Sequence, residues 1–339
     1  MRRPSRPVVP LLAAALSVGL AAGLSACGSS ADPSGAAAPS GSGGAFPVSI
    51  ENEFGTTEVP AAPERVVTVG FNDLDVVLAL GVTPVGARAN LGYDAAQRPW
   101  APEQAKGTEL PTVGETEIEV EEVAALQPDL IVGVYSFLDQ QTYDQLSKIA
   151  PTLAQTDRYA DGATPWQEQT LLTGRALGRE DRAEQVVRDV EGRFERAKAD
   201  HPEFAGKSVA VDYHGVAGSD HFLMGADDLR SQFFTALGFT VPDASTAVSN
   251  EQLGLLDQDV LIAGGYGPAD AVATTPLFTS LKAVQQGRTV YFGAYTDDLM
   301  GALGYGSPLA LPYLLDQVET ALAQAADGDP ATPVTQPTA

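Results

Sequence analysis

The residues Asp181 to Asp200, DRAEQVVRDVEGRFERAKAD, impose the strongest constraint on how this chain can fold. Ala183, Val186, Val187, Val190, Phe194 and Ala197 fall on one face of a helix. The other faces carry charges of both signs, with Glu184–Arg188 and Asp189–Arg193 spaced for favourable pairing along a helix. A helix of that length spans about 30 Å, the width of a small domain. Short strands and helices alternate on both sides of it. The pattern predicts a rigid strut over 179–201 that joins two α/β lobes.

The two flanks also resemble each other. EEVAALQPDLIV at 121–132 aligns without gaps with EQLGLLDQDVLI at 251–262, pairing Glu121 with Glu251, Leu126 with Leu256 and Asp129 with Asp259. An Ala-Leu-Gly stop precedes each segment, at 79–81 and 236–238. Strands alternating with helices imply a mostly parallel sheet in each lobe, and ligands then sit off the carboxyl ends of the strands. Two such edges facing each other form a cleft that closes on a small molecule.

The N-lobe is expected over 46–178. It begins with a hairpin formed by VSIEN and TTEV, then a strand at Arg65–Val69 and a helix at Asp73–Leu80. Residues 88–118 read as irregular, with Arg88, Tyr93, Arg98 and Trp100 spread through them. Thr164-Pro165-Trp166-Gln167 has capping-box spacing, with proline at the first helical position. The C-lobe is expected over 202–326, with a strand at Ser208–Tyr213, helices at Asp228–Leu237 and Glu251–Leu256, and a last helix from Pro308 to about Ala325. The tail from Asp327, DGDPATPVTQPTA, reads as disordered over 327–339.

Arg2, Arg3 and Arg6 precede an apolar run from Val8 to about Gly23, so 1–26 reads as a secretory signal. The following Leu24-Ser25-Ala26-Cys27 is similar to a bacterial lipobox, and Cys27 is the only cysteine in the chain. That count excludes an internal disulfide. A lipid on Cys27 would hold the protein at the outer face of the cell membrane, on a Gly/Ser-rich flexible tether over 27–45. The formal charge is −24, and −27 once the three leader arginines are removed. Nucleic acid is a poor partner for such a body.

No phosphate-binding loop, nucleophile elbow or cysteine cluster occurs in the sequence. His201, His214 and His221 are too few and wrongly spaced for a structural metal site, although His214 and His221 could make a labile metal contact. The expectation is a binding protein, not an enzyme, with no cofactor and no metal held directly.

PERVVTVGFNDLDVVLALGVTPVGA, then EVEEVAALQPDLIVGVYS, KIAPTL and the strut after LGREDRAEQ resemble the iron-siderophore family of ABC-transporter substrate-binding lipoproteins. That class also contains cobalamin- and haem-binding proteins, and the resemblance covers about residues 46–325. It implies two Rossmann-like lobes joined by a long α-helix, the class III periplasmic-binding-protein arrangement. It further implies a monomer that captures a ferric siderophore between the lobes and delivers it to an ABC-transporter permease and its ATPase. One surface glutamate per lobe docks on permease arginines in this family. The carry-over is to Glu121 and Glu251, with Glu119 and Glu122 as substitutes for Glu121.

For the cleft, strand ends and the loops after them supply Arg88, Tyr135, Arg158, Tyr213, Tyr266 and Tyr295. Flat rings and a few cations suit a bulky ferric complex. So few basic candidates favour a neutral or cationic hydroxamate over an anionic catecholate. The alternatives are a haem carrier with His214 or Tyr266 as axial ligand, a cobalamin carrier, a surface lipoprotein without a transport role, and a metal chelatase.

Overall fold

The computed structural model describes residues 46–89, 98–103, 105–214, 221–265, 271–294 and 296–338. Cys27, Tyr93, Tyr266 and Tyr295 lie outside them. Residues Ser42–Ala339 form one compact unit, within which two sheets flank the strut.

The first part opens on the antiparallel hairpin β1 (Val48–Asn52) and β2 (Gly55–Val59), whose Ile50 and Val59 turn into the core. Then come β3 (Val66–Thr68), α1 (Asp73–Ala79), β4 (Gly86–Ala87), α2 (Val120–Ala125), β5 (Leu130–Gly133), α3 (Gln140–Leu146), β6 (Thr152–Ala154) and α4 (Trp166–Ala176). The sheet order is β4-β3-β5-β6, parallel throughout. Every residue of VVT in β3 and LIVG in β5 is buried, as a parallel sheet covered on both faces requires.

The strut α5 (Glu180–Asp200) follows. After it come β7 (Val209–Tyr213), β8 (His221–Met224), α6 (Ser231–Ala236), β9 (Thr246–Val248), a 3-10 helix at Asn250–Leu256, β10 (Val260–Gly264), α7 (Pro276–Thr279), α8 (Lys282–Gln285), β11 (Thr289–Gly293), α9 (Asp298–Tyr305) and α10 (Ala310–Ala326). The order is β11-β10-β7-β8-β9. Here β10 runs parallel to β7 and β11, but β8 is antiparallel to both β7 and β9. This sheet is therefore mixed and not mostly parallel as expected. The connection over 214–220 is long enough for a return turn, whereas a parallel crossover needs about a dozen residues or more.

The internal repeat is visible in the fold. In one lobe β5 lies between β3 and β6; in the other β10 lies between β7 and β11. Asp129 accepts hydrogen bonds from the Glu64 and Arg65 amides at 2.8 and 2.9 Å, at the entry to β3. Asp259 accepts from the Ser208 amide at 2.9 Å, at the entry to β7. The two stop glycines, Gly81 and Gly238, both take positive φ, 77° and 101°. The segment after Ser249 winds as a 3-10 helix where its counterpart is α-helical.

Ala183, Val186, Val190, Phe194 and Ala197 form the buried face of the strut. Toward the first lobe, Ala183 lies so close to Gly174 that a Cβ there would stand 2.3 Å from its own. Arg182 Nε also donates to Ala79 O at 3.2 Å. Toward the second lobe, Phe194 meets Phe233 edge-on at 5.4 Å, and Arg193 pairs with Asp316 on α10. Of the two anticipated pairs along the strut, Glu184–Arg188 forms at 3.2 Å. Asp189 instead accepts from Gln185 at 2.6 Å, because Arg193 turns to Asp316.

Two further expectations are corrected. No side chain caps α4, and the Thr164 carbonyl is taken by Gln169 Nε2 at 2.7 Å. The tail is ordered to residue 338: the Gln336 amide donates to Thr289 O at 2.9 Å and accepts from Tyr291 N at 2.8 Å. Strand β11 stands at a sheet edge, and its unpaired backbone groups give the tail something to bind.

Candidate functional site

Strands β3, β4 and β5 end side by side, and the residues just beyond them build one wall of a cleft. Phe71 and Tyr135 meet edge-on at 5.9 Å, and Phe137 packs on both, at 5.9 and 5.4 Å. The Arg88 guanidinium lies 4.5 Å over the Phe71 ring. Its Nε donates to Glu115 O at 3.0 Å, Nη2 to Thr116 O at 2.7 Å and Nη1 to Val69 O at 3.4 Å. Burial pulls its pKa below the ordinary value, opposed by the nearby Asp73. Phe137 is 54% exposed and has φ 55°, a left-handed conformation that a bulky residue rarely adopts. Its ring rests where a Cβ on Gly162 would come within 2.4 Å.

Asp73 sits beneath this wall at the start of α1, wholly buried, and accepts from the Tyr135 amide at 3.3 Å. Burial pushes its carboxyl up to about 7, against the pull of the Tyr135, Gly70 and Val134 amides and of Arg88.

The facing wall comes from the second lobe. Tyr213, the last residue of β7, lies under the Arg230 guanidinium at 4.5 Å. Asp228 holds Arg230 in a fork, with Nε at 2.8 Å and Nη2 at 2.5 Å. Burial works against the Arg230 charge, but Asp228 outweighs it and holds the pKa above the ordinary arginine value. Burial raises the phenols of Tyr213 and Tyr135, and the Arg230 charge pulls both back down. Arg230 therefore acts on both walls. Tyr305 ends α9 beneath Arg98, at 4.4 Å, and its carbonyl accepts from Asn72 Nδ2 at 2.8 Å.

Below the cleft the lobes are tied together at Asp75. Its Oδ2 accepts from Trp100 Nε1 at 2.9 Å and from Ser307 Oγ at 2.7 Å, with Arg98 Nη1 at 3.9 Å. Trp100 belongs to the apolar core of the second lobe, although the chain segment carrying it leaves the first. A cavity of about 330 Å³ opens beside this tie. Asn72 and Tyr135 line it from one lobe, Arg230 and Tyr305 from the other, and Trp166 and Phe194 from α4 and the strut.

Of the sequence candidates, Arg88, Tyr135 and Tyr213 come to the two walls, while Tyr266 and Tyr295 lie outside the described residues. Arg158 does not reach the cleft. It pairs with Glu168 of α4 and lines a separate hollow with Ser49 and Thr56 of the hairpin. His221 is a core residue: Nδ1 lies 2.6 Å from Asp212 Oδ2, and the ring stacks on Phe278. Among the described residues, no group of three or more His, Cys, Asp or Glu side chains is placed to hold a metal ion. Sequence reasoning missed Asn72, Arg98, Phe137, Arg230 and Tyr305.

The profile of the Periplasmic binding protein family matches residues 66–296, a span that takes in the strut and the wall residues from Phe71 to Arg230. The chain belongs to the periplasmic binding protein family. The Fe(3+)-citrate-binding protein YfmC of Bacillus subtilis (strain 168) is 31% identical over 247 residues, covering 70% of this chain and 76% of that one. The probable siderophore-binding lipoprotein YfiY of the same organism is 29% identical over 299 residues, covering 80% and 86%. A periplasmic solute binding protein from Mycobacterium smegmatis has a solved structure with a TM-score of 0.72 at 31% identity, covering 83% of this chain and 99% of that one. PiaA from Streptococcus pneumoniae, solved in complex with ferrichrome, shares the fold with a TM-score of 0.71 at 24% identity, covering 83% and 99%. The two-lobed arrangement of this periplasmic binding protein is the one its sequence leads one to expect.

The Asp73 carboxyl gives the protein a testable pH dependence. Its pKa rises from 3.8 to about 7 on folding, so the folded state binds the proton more tightly than the unfolded chain. Stability therefore falls as pH rises through that window, by up to about 1.4 kcal/mol per pH unit, and changes no further above it. Asp73→Asn is expected to remove this fall. Urea midpoints measured across the window for both proteins check it, and parallel profiles would refute it.

Proposed function

We propose that this chain is an extracytoplasmic solute-binding lipoprotein that captures a ferric siderophore between its lobes and hands it to an ABC-transporter permease. The iron-citrate and siderophore names of its relatives bring an iron chelate to the cleft. What favours a particular charge class is the pairing of the cleft arginines. Arg230 is forked to Asp228, Arg98 lies beside Asp75, and Arg88 directs all three nitrogens at backbone carbonyls with Asp73 nearby. Each cation is thus balanced or committed before a ligand arrives, and a highly anionic chelate would find little net charge to meet it. Aromatic faces remain, from Phe71, Tyr135, Phe137 and Tyr213, and these suit a neutral or cationic hydroxamate complex. Iron is cargo, held by its chelator.

Titration of the purified protein, followed by quenching of Trp100 and Trp166, tests the class. A ferric trihydroxamate is expected to bind more tightly than a ferric tris-catecholate at equal ionic strength. The reverse order would overturn the charge argument.

Delivery is assigned to Glu121 and Glu251. Both are exposed, and each lies in the first turn of the helix that precedes the matching strand of its lobe. The Glu251 backbone amide and Ser249 hold its carboxylate below the usual range. Two carboxylates on separate lobes can report the spacing of the lobes to a pair of permease arginines. Alanine at either position is expected to weaken docking roughly ten- to a hundred-fold, as loss of a charge-assisted hydrogen bond does. Ligand affinity should not change. Uptake of radiolabelled ferric siderophore, beside titration of the free protein, is the check; normal uptake in the double variant would discard this pair.

The anchor is assigned to Cys27. Cys27→Ser should abolish labelling by a fatty-acid probe and release the protein from membranes, and retained labelling would exclude lipidation at this residue.

A further inference from the structure

The C-terminal tail holds to the second lobe by both its main chain and its side chains. Past α10, the Asp329 amide donates to Asp327 Oδ1 at 2.7 Å and the Ala331 amide to Asp329 Oδ1 at 2.9 Å. Aspartates that bond the main chain two residues on make turns, and here they send the chain back toward the lobe. The Thr335 amide then donates to Gln324 Oε1 on α10 at 2.7 Å. Val334 packs against the apolar core of that lobe. Gln336 reaches β11, its Nε2 donating to Thr289 O at 2.9 Å and its Oε1 accepting from Tyr291 N at 2.8 Å.

Those two groups are the ones that β11 turns away from its sheet. Leu261 N donates across to Arg288 O at 3.0 Å, and main-chain groups alternate sides along a strand. Val290 therefore also faces β10, while Thr289 and Tyr291 face outward. A residue of a further parallel strand would donate to Thr289 O and accept from Tyr291 N. The Gln336 carboxamide does both, because it carries donors and an acceptor in one planar group. Pro333 and Pro337, on either side of it, have no N–H. The tail thus closes the β11 edge without presenting a fresh ladder in its turn. The other edge strand, β9, is only three residues long and offers little to pair with, whereas β11 has five.

We propose that the tail is a strap that keeps the β11 edge closed and the chain monomeric, and that the edge it covers is a self-pairing surface for a second copy. With the strap off, two β11 strands meet antiparallel about a two-fold axis, Thr289 of each opposite Tyr291 of the other. Such pairing draws on main-chain groups and needs no complementary sequence. The strap works at a sheet edge, whatever ligand the cleft takes.

Sedimentation velocity on the mature protein over a range of concentrations tests it, beside truncation after Asp327, Gln336→Ala, and Tyr291→Pro within the truncated chain. The natural protein is expected to stay monomeric and the truncated one to dimerise reversibly as concentration rises. Gln336→Ala should shift the same way, by less. Tyr291→Pro removes an outward N–H that β10 does not use, so it should return the truncated chain to monomer. Truncation also takes away Val334, and a second measurement on Gln336→Ala avoids that loss. Gln336 is an exposed side chain, and without it the Tyr291 amide of the dilute monomer should exchange with solvent roughly ten-fold faster or more. A truncated chain that stays monomeric throughout, or a dimer that survives Tyr291→Pro, would overturn the self-pairing surface. Unchanged exchange at Tyr291 would overturn the strap. If the truncated chain loses its fold, Gln336→Ala alone decides, and no association by it at any concentration counts against the proposal.

Discussion

One buried side chain ties the two lobes together. Asp75, 1% exposed on α1, receives Trp100 from a long excursion of its own lobe and Ser307 from the other, with Arg98 alongside. Its Oδ2 atom is thereby shared by groups from residues far apart in the chain. A charge buried at that depth must be paired, and removing one partner of such a pair typically costs about 3–5 kcal/mol. The geometry around it follows. Ser307 Oγ also accepts from the Ala310 amide at the start of α10, so the turn between α9 and α10 is fastened to α1. Fastening that turn sets the Tyr305 carbonyl against Asn72, and Tyr305 and Asn72 are wall residues of the cavity.

The strut supplies the second fixed relation. Its close approach to Gly174 and the Arg182 bond to Ala79 bind one end to the first lobe, while Phe194 and Arg193 bind the other end to the second. The lobes are thus joined both at Asp75 and along a continuous helix. Interactions between packed elements switch between discrete arrangements more readily than they stretch. The arginines of the two walls are held within this frame. Their positions are set by Asp228, by Asp75 and by backbone carbonyls, so little reorganisation is left for the ligand to drive.

The sequence carried the frame more clearly than the site. The strut declared itself because five of its apolar residues, spaced at helical intervals, bury one face. The repeat was legible because Asp129 and Asp259 do the same local work, holding the amide at the entry of an adjacent strand. Contacts that join distant segments left no such mark. Asn72 reaches Tyr305 across 233 positions, and Asp75 reaches Ser307 across 232. Arg230 stood two residues from Asp228, which was a local sign of a held guanidinium, but its place over Tyr213 depends on how the second sheet folds. Arg158 misled for a related reason. Its guanidinium is held by Glu168 of α4 beside Ser49 and Thr56 of the hairpin, a placement set by how those elements pack. The antiparallel β8 and β9 were hidden by brevity, and the ordered tail by a polar composition that reads as solvated until an edge strand is there to receive it.

The repeat and the site occupy opposite ends of the same strands. At the entry ends of β3 and β7 the lobes agree in the aspartate clamps, and the later helices α1 and α6 each close on a glycine. At the exit ends they part company. One lobe presents Phe71, Tyr135 and a strained, exposed Phe137 backed by Arg88; the other presents Tyr213 beneath a forked Arg230. In open α/β sheets the carboxyl ends of the strands are where ligands bind, and the loops there can change without disturbing the sheet. Agreement at one end therefore maintains two sheets of similar build. Divergence at the other makes the cleft asymmetric, aromatic on one side and carrying a charge-balanced arginine on the other.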